Sequence, residues 1–320
     1  MSKTFRTVGS GSTQTLESIE NNKIPVYETK AAAEADIANL SDGQIIGTKD
    51  EGNENAKPVD VVEKGNMHAV TSNAVAEITS SHNGIFRGKC LNGDKSKLYP
   101  TLPIGNTNYL PGGGYTIEQV MTNIAAGNFA DIYPGDYFID SENKVYRIAG
   151  LDTELNKGDT PLTSHHAVIV PDFYLTQTAW NTTNTVASGY NNSNVQAYCD
   201  GAGQTAIESV FGASHVLTVR DLLSTGTSSW EWYSHKVRLM SEVEVYGTRV
   251  WSSGYDIGTA NEQFPLFRLM PQLATGLGYG YWLSGIALNA YGCISSSRGF
   301  IAYDNVTKTD FGVRPRFLVG

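Results

Sequence analysis

Apolar residues are sparse and irregular over the first eighty residues of this chain and dense, strand-like and punctuated by glycine after Gly84. Phe5, Val8, Leu16 and Ile19 are too scattered to set a period, so residues 1 to 23 read as an extended arm. Pro25 biases Ile24 to Tyr27 toward extended backbone, and Thr29 can cap an alanine-rich helix whose apolar face is Ala33, Ile37 and Leu40. Gly43 stops that helix, and Gln44 to Thr48 follows as a strand before a polar turn from Lys49 to Ala56. Beyond it, Met67, Val70, Ala74 and Ile78 are spaced 3, 4 and 4, which is one apolar stripe on a short helix capped by Thr71 or Ser72 and ended by Asn83-Gly84. A helix of about three turns is marginal alone in water, so the stripe needs a partner: copies of itself or the downstream domain.

The pattern then changes to strands. Ile85 to Cys90 alternates as one, and Tyr99 to Gly114 is a Pro/Gly loop. Thr116 to Ile124 is an amphipathic helix ending near Gly127. Tyr137 to Asp140 and Lys144 to Gly150 flank a short polar turn and read as a hairpin. Ala167 to Pro171 is a continuous apolar run, the mark of a strand buried on both faces. A helix is expected around Ala206 to Phe211, mixed strand and turn signals cover Arg238 to Tyr246, and Tyr281 to Leu283, Gly299 to Tyr303 and Gly312 to Val319 close the chain as short strands. The expected class is mainly β with some α, an α+β protein in three parts: an N-terminal arm and small segment over 1–62, a linker with a short helix over 63–83, and a globular domain over 84–320.

Composition narrows the function classes. A net charge of −9, with 17% charged residues and no Lys/Arg cluster, argues against nucleic acid. No stretch approaches the roughly 18 to 20 apolar residues of a membrane span, and the N-terminus has no apolar signal core. Cys90, Cys199 and Cys293 are odd in number and about a hundred residues apart, which fits neither a disulfide framework nor a CxxC metal site.

The candidate chemistry is thin. Adjacent strand residues point to opposite faces, so His165 and His166 cannot share one ion; they, His215 and His235 read as structural hydrogen-bonding histidines. Asp152, Asn156 and Asp159 lack the spacing of a calcium loop and read as a solvated turn. Asp131, Asp136, Asp140 and Glu142 could supply a glycosidase carboxylate pair, but sit where turns ordinarily place aspartate. There is no Gly-x-Ser-x-Gly elbow, and Gly112-Gly113-Gly114 lacks the Lys-Ser/Thr of a phosphate loop. No catalytic residue, metal site or cofactor is expected, and the chain reads as a binding and assembly protein.

Aromatics carry that expectation. Trp230, Trp232, Tyr233, Trp251, Tyr255, Tyr279, Tyr281, Trp282 and Tyr291 crowd the last hundred residues among Ser, Gly and Asn, a mix that suits recognition surfaces. Trp282 reads as core. Ser284 to Arg298 reads as an exposed loop, so Tyr279, Asn289, Tyr291 and Arg298 are the expected ligand-binding residues.

Val59 to Gly65 followed by Asn66-Met67-His68-Ala69-Val70-Thr71-Ser72-Asn73-Ala74-Val75 resembles a linker found repeatedly in fibre and tail proteins of bacteriophages of gut bacteria, including crAss-like phages. Tyr27 to Gly52 is similar to the segments that precede that linker. Ile132 to Tyr137, His165 to Asp172, Pro265 to Leu269, Tyr281 to Leu283 and Phe311 to Pro315 resemble the C-terminal domain of the same virion proteins. The order of a Trp-bearing strand, a loop, a strand and a closing Gly-Val-Arg-Pro strand is also similar to C-type-lectin and formylglycine-generating-enzyme folds. Glu-Pro-Asn and Trp-Asn-Asp are absent, so calcium-dependent sugar binding does not follow, and no matched cysteine pair supports oxidase chemistry.

The resemblance implies a virion protein assembled in the host bacterium, a homotrimer joined through Met67, Val70, Ala74 and Ile78. Residues 1–62 would contact other virion proteins, and the C-terminal domain would bind a host surface glycan or protein. The alternatives are a head-fibre or capsid-decorating protein that reads no receptor, and a surface-polysaccharide depolymerase.

Overall fold

The computed structural model describes residues 82–100, 109–226, 229–252, 262–275 and 279–320, together with four short strands nearer the N-terminus. The chain divides into two compact units, Met1–Ala76 and Glu77–Gly320. In the first, β1 (Thr4–Arg6) pairs antiparallel with β2 (Thr13–Thr15), and β3 (Val26–Tyr27) pairs parallel with β4 (Gly47–Thr48). The expected helix before Leu40 and the stripe Met67, Val70, Ala74 and Ile78 lie outside the described residues.

The second unit begins with β5 (Leu98–Pro100) and β6 (Tyr109–Pro111), then α1 (Ile117–Ala125). The first helix follows from its ends: the Thr116 hydroxyl accepts from the Gln119 N–H, and the Gln119 side chain accepts from the Thr116 N–H, a reciprocal capping box. Its buried face is Val120, Met121 and Ile124. Three antiparallel strands come next: β7 (Tyr137–Ile139), β8 (Val145–Leu151) and β9 (Ala167–Pro171). After the short β10 (Thr176–Gln177), α2 (Asn194–Tyr198) runs through a π-helical turn, Cys199–Gly203, into α3 (Gln204–Phe211).

Then come β11 (Val216–Leu217), the hairpin β12 (Val219–Ser224) and β13 (Trp230–His235), β14 (Val237–Leu239), α4 (Glu242–Tyr246) and α5 (Pro265–Leu269). The chain closes with β15 (Tyr281–Leu288), β16 (Tyr291–Ser295), β17 (Ile301–Asn305), β18 (Gly312–Val313) and β19 (Pro315–Val319). The fold is mainly β with few helices.

Two sheets organise the second unit. One runs β11-β19-β9-β8-β7, with β14 also paired to β19; the other runs β10-β18-β15-β16-β17. Central strands bury both faces. Ala167 and Ile169 of β9 join one apolar cluster with Phe138, Phe211 and Trp282, while Val168 and Val170 join a second with Phe264, Phe267 and Leu283. The closing strand splits the same way, with Phe317 and Val319 in the first cluster and Leu318 in the second. This is why the runs at 167–171 and 315–319 are apolar without alternation.

Three expectations are corrected. Ile85 to Lys89 forms no strand, with Gly88 at a positive φ of 82°; the Arg87 and Lys89 side chains turn instead to Asp131 and Asp136. The helix expected around 206–211 is present as α3, and the sequence reading missed α2 before it, which Ser193 caps through the Gln196 N–H and which a π-turn joins to α3. Ser284 to Arg298 is two strands and their turns, and Gly292 lies against Trp180 and Trp282, where its missing side chain makes room for two indoles.

Candidate functional site

β17 is an outer strand of the five-stranded sheet, and Tyr303, its one exposed residue, is paired with Cys293 on β16. Tyr291 lies diagonally across on the same face, with ring centroids 5.5 Å apart at 87°. Trp251 packs on the other side of Tyr303 at 4.7 Å and 70°. The three rings form an edge-to-face row, and each remains partly open: Trp251 is 43% exposed, Tyr303 37% and Tyr291 36%. Leu288, paired with Tyr291 across β15 and β16, extends the row as an exposed aliphatic residue.

Trp251 is not on a strand, so something must hold it. Its indole N–H donates to the Ile301 carbonyl at 3.2 Å, tying the ring to the start of β17. Its backbone is held by Glu242, the first residue of α4, whose buried carboxylate accepts from the N–H groups of Val250 (3.4 Å), Trp251 (3.0 Å) and Ser252 (2.9 Å) and from the Ser252 hydroxyl. Three successive N–H donors converging on one carboxylate fix the 250–252 backbone without a regular element. The helix that carries Glu242 is itself set by a capping box between Ser241 and Glu244.

The expected residues do not gather at one point. Asn289 and Tyr291 lie at the turn between β15 and β16, and Tyr291 enters the aromatic row. Tyr279 precedes β15 at its opposite end, and Arg298 lies in the turn between β16 and β17; one five-residue strand separates the two groups by roughly 15 Å. Arg298 lies in the turn that leads into Ile301, at the Trp251 end. Of the other aromatics, Tyr281 and Trp282 are fully buried, Trp230, Trp232 and Tyr233 are half-buried on β13, and Tyr255 lies outside the described residues. Sequence reasoning missed Tyr303, because burial along β17 does not alternate and only the pairing with β16 brings Tyr303 beside Tyr291. It also missed Glu242, which no local pattern marks.

The remaining candidates are in bonded, structural positions. His165 Nδ1 lies 2.6 Å from Asp152, whose side chain is 5% exposed at a positive φ of 51°, so that end of the turn faces inward while Asn156 and Asp159 are exposed. His215 bonds the Gly320 carbonyl and Glu118, and His235 lies beside Gln196 and Asp200. Asp136 is fully buried and accepts from Arg87 and from the Lys89 and Tyr133 N–H groups. Burial raises its carboxyl above the ordinary value against the pull of Arg87. Asp140 caps its own turn through the Glu142 and Lys144 N–H groups. Among the described residues no group of three His, Cys, Asp or Glu is placed to hold a metal ion, and no helix is long and apolar enough to cross a membrane.

The same unit holds a buried charge cluster. Arg238 on β14 and Arg316 on β19 are directly paired across the sheet, two like charges that would repel unless anions separated them. Asp221 bridges both, at 2.7 Å and 2.9 Å, Glu244 pairs with Arg238 at 2.6 Å, and Glu154 lies 2.8 Å from Arg316. Three carboxyls against two guanidiniums leave one negative charge too many for an interior site. Burial, with Asp221 adding to it and Arg316 opposing it, pushes the Glu154 carboxyl up to about 7. In its protonated form the cluster is neutral, and it ties β12, β14, β19, α4 and the Glu154 loop together.

Against known protein families, curated proteins and solved structures, the chain has no match.

Proposed function

We propose that this chain is a bacteriophage virion fibre protein, on head or tail, whose C-terminal unit binds a receptor on the host surface without catalysing a reaction. The observation that carries the proposal is the exposed row Trp251, Tyr303 and Tyr291 on the edge of a packed sheet, held by Glu242 and by the Ile301 carbonyl. Rigid aromatic faces give contact area at little conformational cost, the chemistry of carbohydrate and protein recognition alike. The linker resemblance at Gly65 to Val75 supports the virion assignment and homotrimeric assembly through Met67, Val70, Ala74 and Ile78, with residues 1–62 against other virion proteins. A C-type-lectin-like architecture is part of the proposal, supported by Trp282 on β15 and the closing strands that begin at Gly312.

The test is binding of labelled full-length protein to a panel of gut bacterial strains. At least one strain is expected to bind it, with Trp251→Ala lowering the affinity at least tenfold while the melting temperature is unchanged. Binding to no strain would favour a decorating role on the particle, and binding undiminished by Trp251→Ala would move the receptor site elsewhere.

A further inference from the structure

A cleft of about 190 Å³ opens where α1 meets the loop that follows it. Its floor is apolar, formed by Leu91, Val120 and Ile132. Its polar groups are few and convergent: the Tyr115 phenol, the amides of Asn123 and Asn128, and the Asp131 carboxylate. We propose that this cleft binds a single neutral pyranose, at a site separate from the aromatic row.

The carboxylate is preorganised. Asp131 Oδ1 accepts from Arg87 at 2.5 Å, and Oδ2 accepts from Lys89 at 2.8 Å and from the Tyr115 hydroxyl at 3.2 Å. Arg87 is fixed in turn by the buried Asp136. Burial raises the Asp131 carboxyl, but the bonds from Lys89 and Arg87 outweigh it and hold the group below its ordinary value, so it stays an acceptor near neutral pH. Oδ1 keeps a lone pair for an incoming hydroxyl.

The amides supply the other half. Asn123 is half-buried on α1, and its side chain has no hydrogen-bond partner among the described residues. Asn128 uses its oxygen for the Ala130 N–H at a long 3.4 Å and keeps its N–H groups open. A carboxylate acceptor beside amide donors and acceptors matches the hydroxyls of a sugar, each of which both donates and accepts. The Tyr115 ring has the Lys89 and Lys95 ammoniums 5.9 Å and 5.8 Å from its centroid, so the C–H face of the sugar falls to the apolar floor.

Charge selects against other ligands. Among the described residues Asp131 is the sole charged group lining the cleft, and its charge is already matched by Arg87 and Lys89, so the site calls for neither a cation nor an anion. The volume lies below the roughly 300 Å³ at which drug-sized sites begin, so one ring is the limit and the affinity is expected to be on the order of a millimolar.

Saturation-transfer NMR on the full-length protein decides it, using the methyl α-pyranosides of glucose, galactose, mannose and N-acetylglucosamine, with methyl glucuronide as the charged control. At least one neutral glycoside is expected to receive saturation, and Asn123→Ala, a helix-favouring change, is expected to weaken it at least tenfold with the fold intact. Transfer to no neutral glycoside, transfer to the glucuronide alone, or binding undiminished in Asn123→Ala would each overturn the assignment.

Discussion

Glu154 and His166 show how one residue's protonation is set by its neighbours. Both Glu154 oxygens are buried and receive no aligned hydrogen bond, while the Glu154 N–H donates to His166 Nε2 at 3.1 Å. His166 Nδ1 faces the Ser164 carbonyl, so the ring is held neutral, and burial pushes its pKa down to about 4. The two groups act on stability with opposite signs. A carboxyl raised to about 7 binds its proton more tightly in the folded state, so its contribution is complete below about pH 4.5 and is lost as pH rises to 7. A histidine lowered to about 4 binds its proton less tightly in the folded state, so its contribution is complete above about 6.5 and is lost as pH falls to 4. Glu154→Gln copies the protonated form. Relative to wild type it is expected to gain stability, by up to roughly 3 kcal/mol, as pH rises from 4.5 to 7, and then to hold a constant difference. Denaturant titrations of both proteins at half-unit pH steps measure this; a pH-independent difference would place the proton elsewhere in the cluster.

At the scale of elements, the loop at 250–252 depends on a side chain eight to ten residues before it. Glu242 accepts three backbone N–H bonds, and the glutamine amide cannot reproduce them, since it has one acceptor oxygen and turns its own donors toward the same N–H groups. Glu242→Gln is expected to cost about 1 to 3 kcal/mol and to lose host-cell binding to the extent that Trp251→Ala does. Unfolding curves and the same cell-binding assay separate the two effects. Lower stability with full binding would show that the indole bond to Ile301 alone positions the ring.

For the whole molecule, the joint at Gly65 to Ile78 and the C-terminal unit have different tasks in the proposed reading. A single aromatic row binds weakly, and holding copies together raises the effective affinity by about 100-fold to 10,000-fold when the sites can be engaged at once. Light scattering of the full chain is expected to give a trimer, and Val70→Asp, which puts a charge in the stripe, is expected to give a monomer that retains the fold of the C-terminal unit and loses that avidity. A monomeric wild-type chain would remove the assembly role.

The amino-acid sequence by itself determined what local chemistry can encode. The amphipathic helix over 116–124, the hairpin around Asn143, the doubly buried strand at 167–171 and the interior place of Trp282 were all legible, because helical periodicity, turn residues and apolar runs act over a few positions. Only the tertiary structure decided the rest. Ser284 to Arg298 looked like a loop because its glycines and serines are small, whereas Gly292 sits in a packed strand against the indoles of Trp180 and Trp282. The pairing of Arg238 with Arg316, the reach of Glu242 to the backbone of Trp251 and the meeting of Trp251 with Tyr303 join residues 52 to 78 positions apart, or depend on a loop path that no periodicity describes. Sites of that kind are assembled by strand register and by where buried charges find partners, and both are properties of the folded chain.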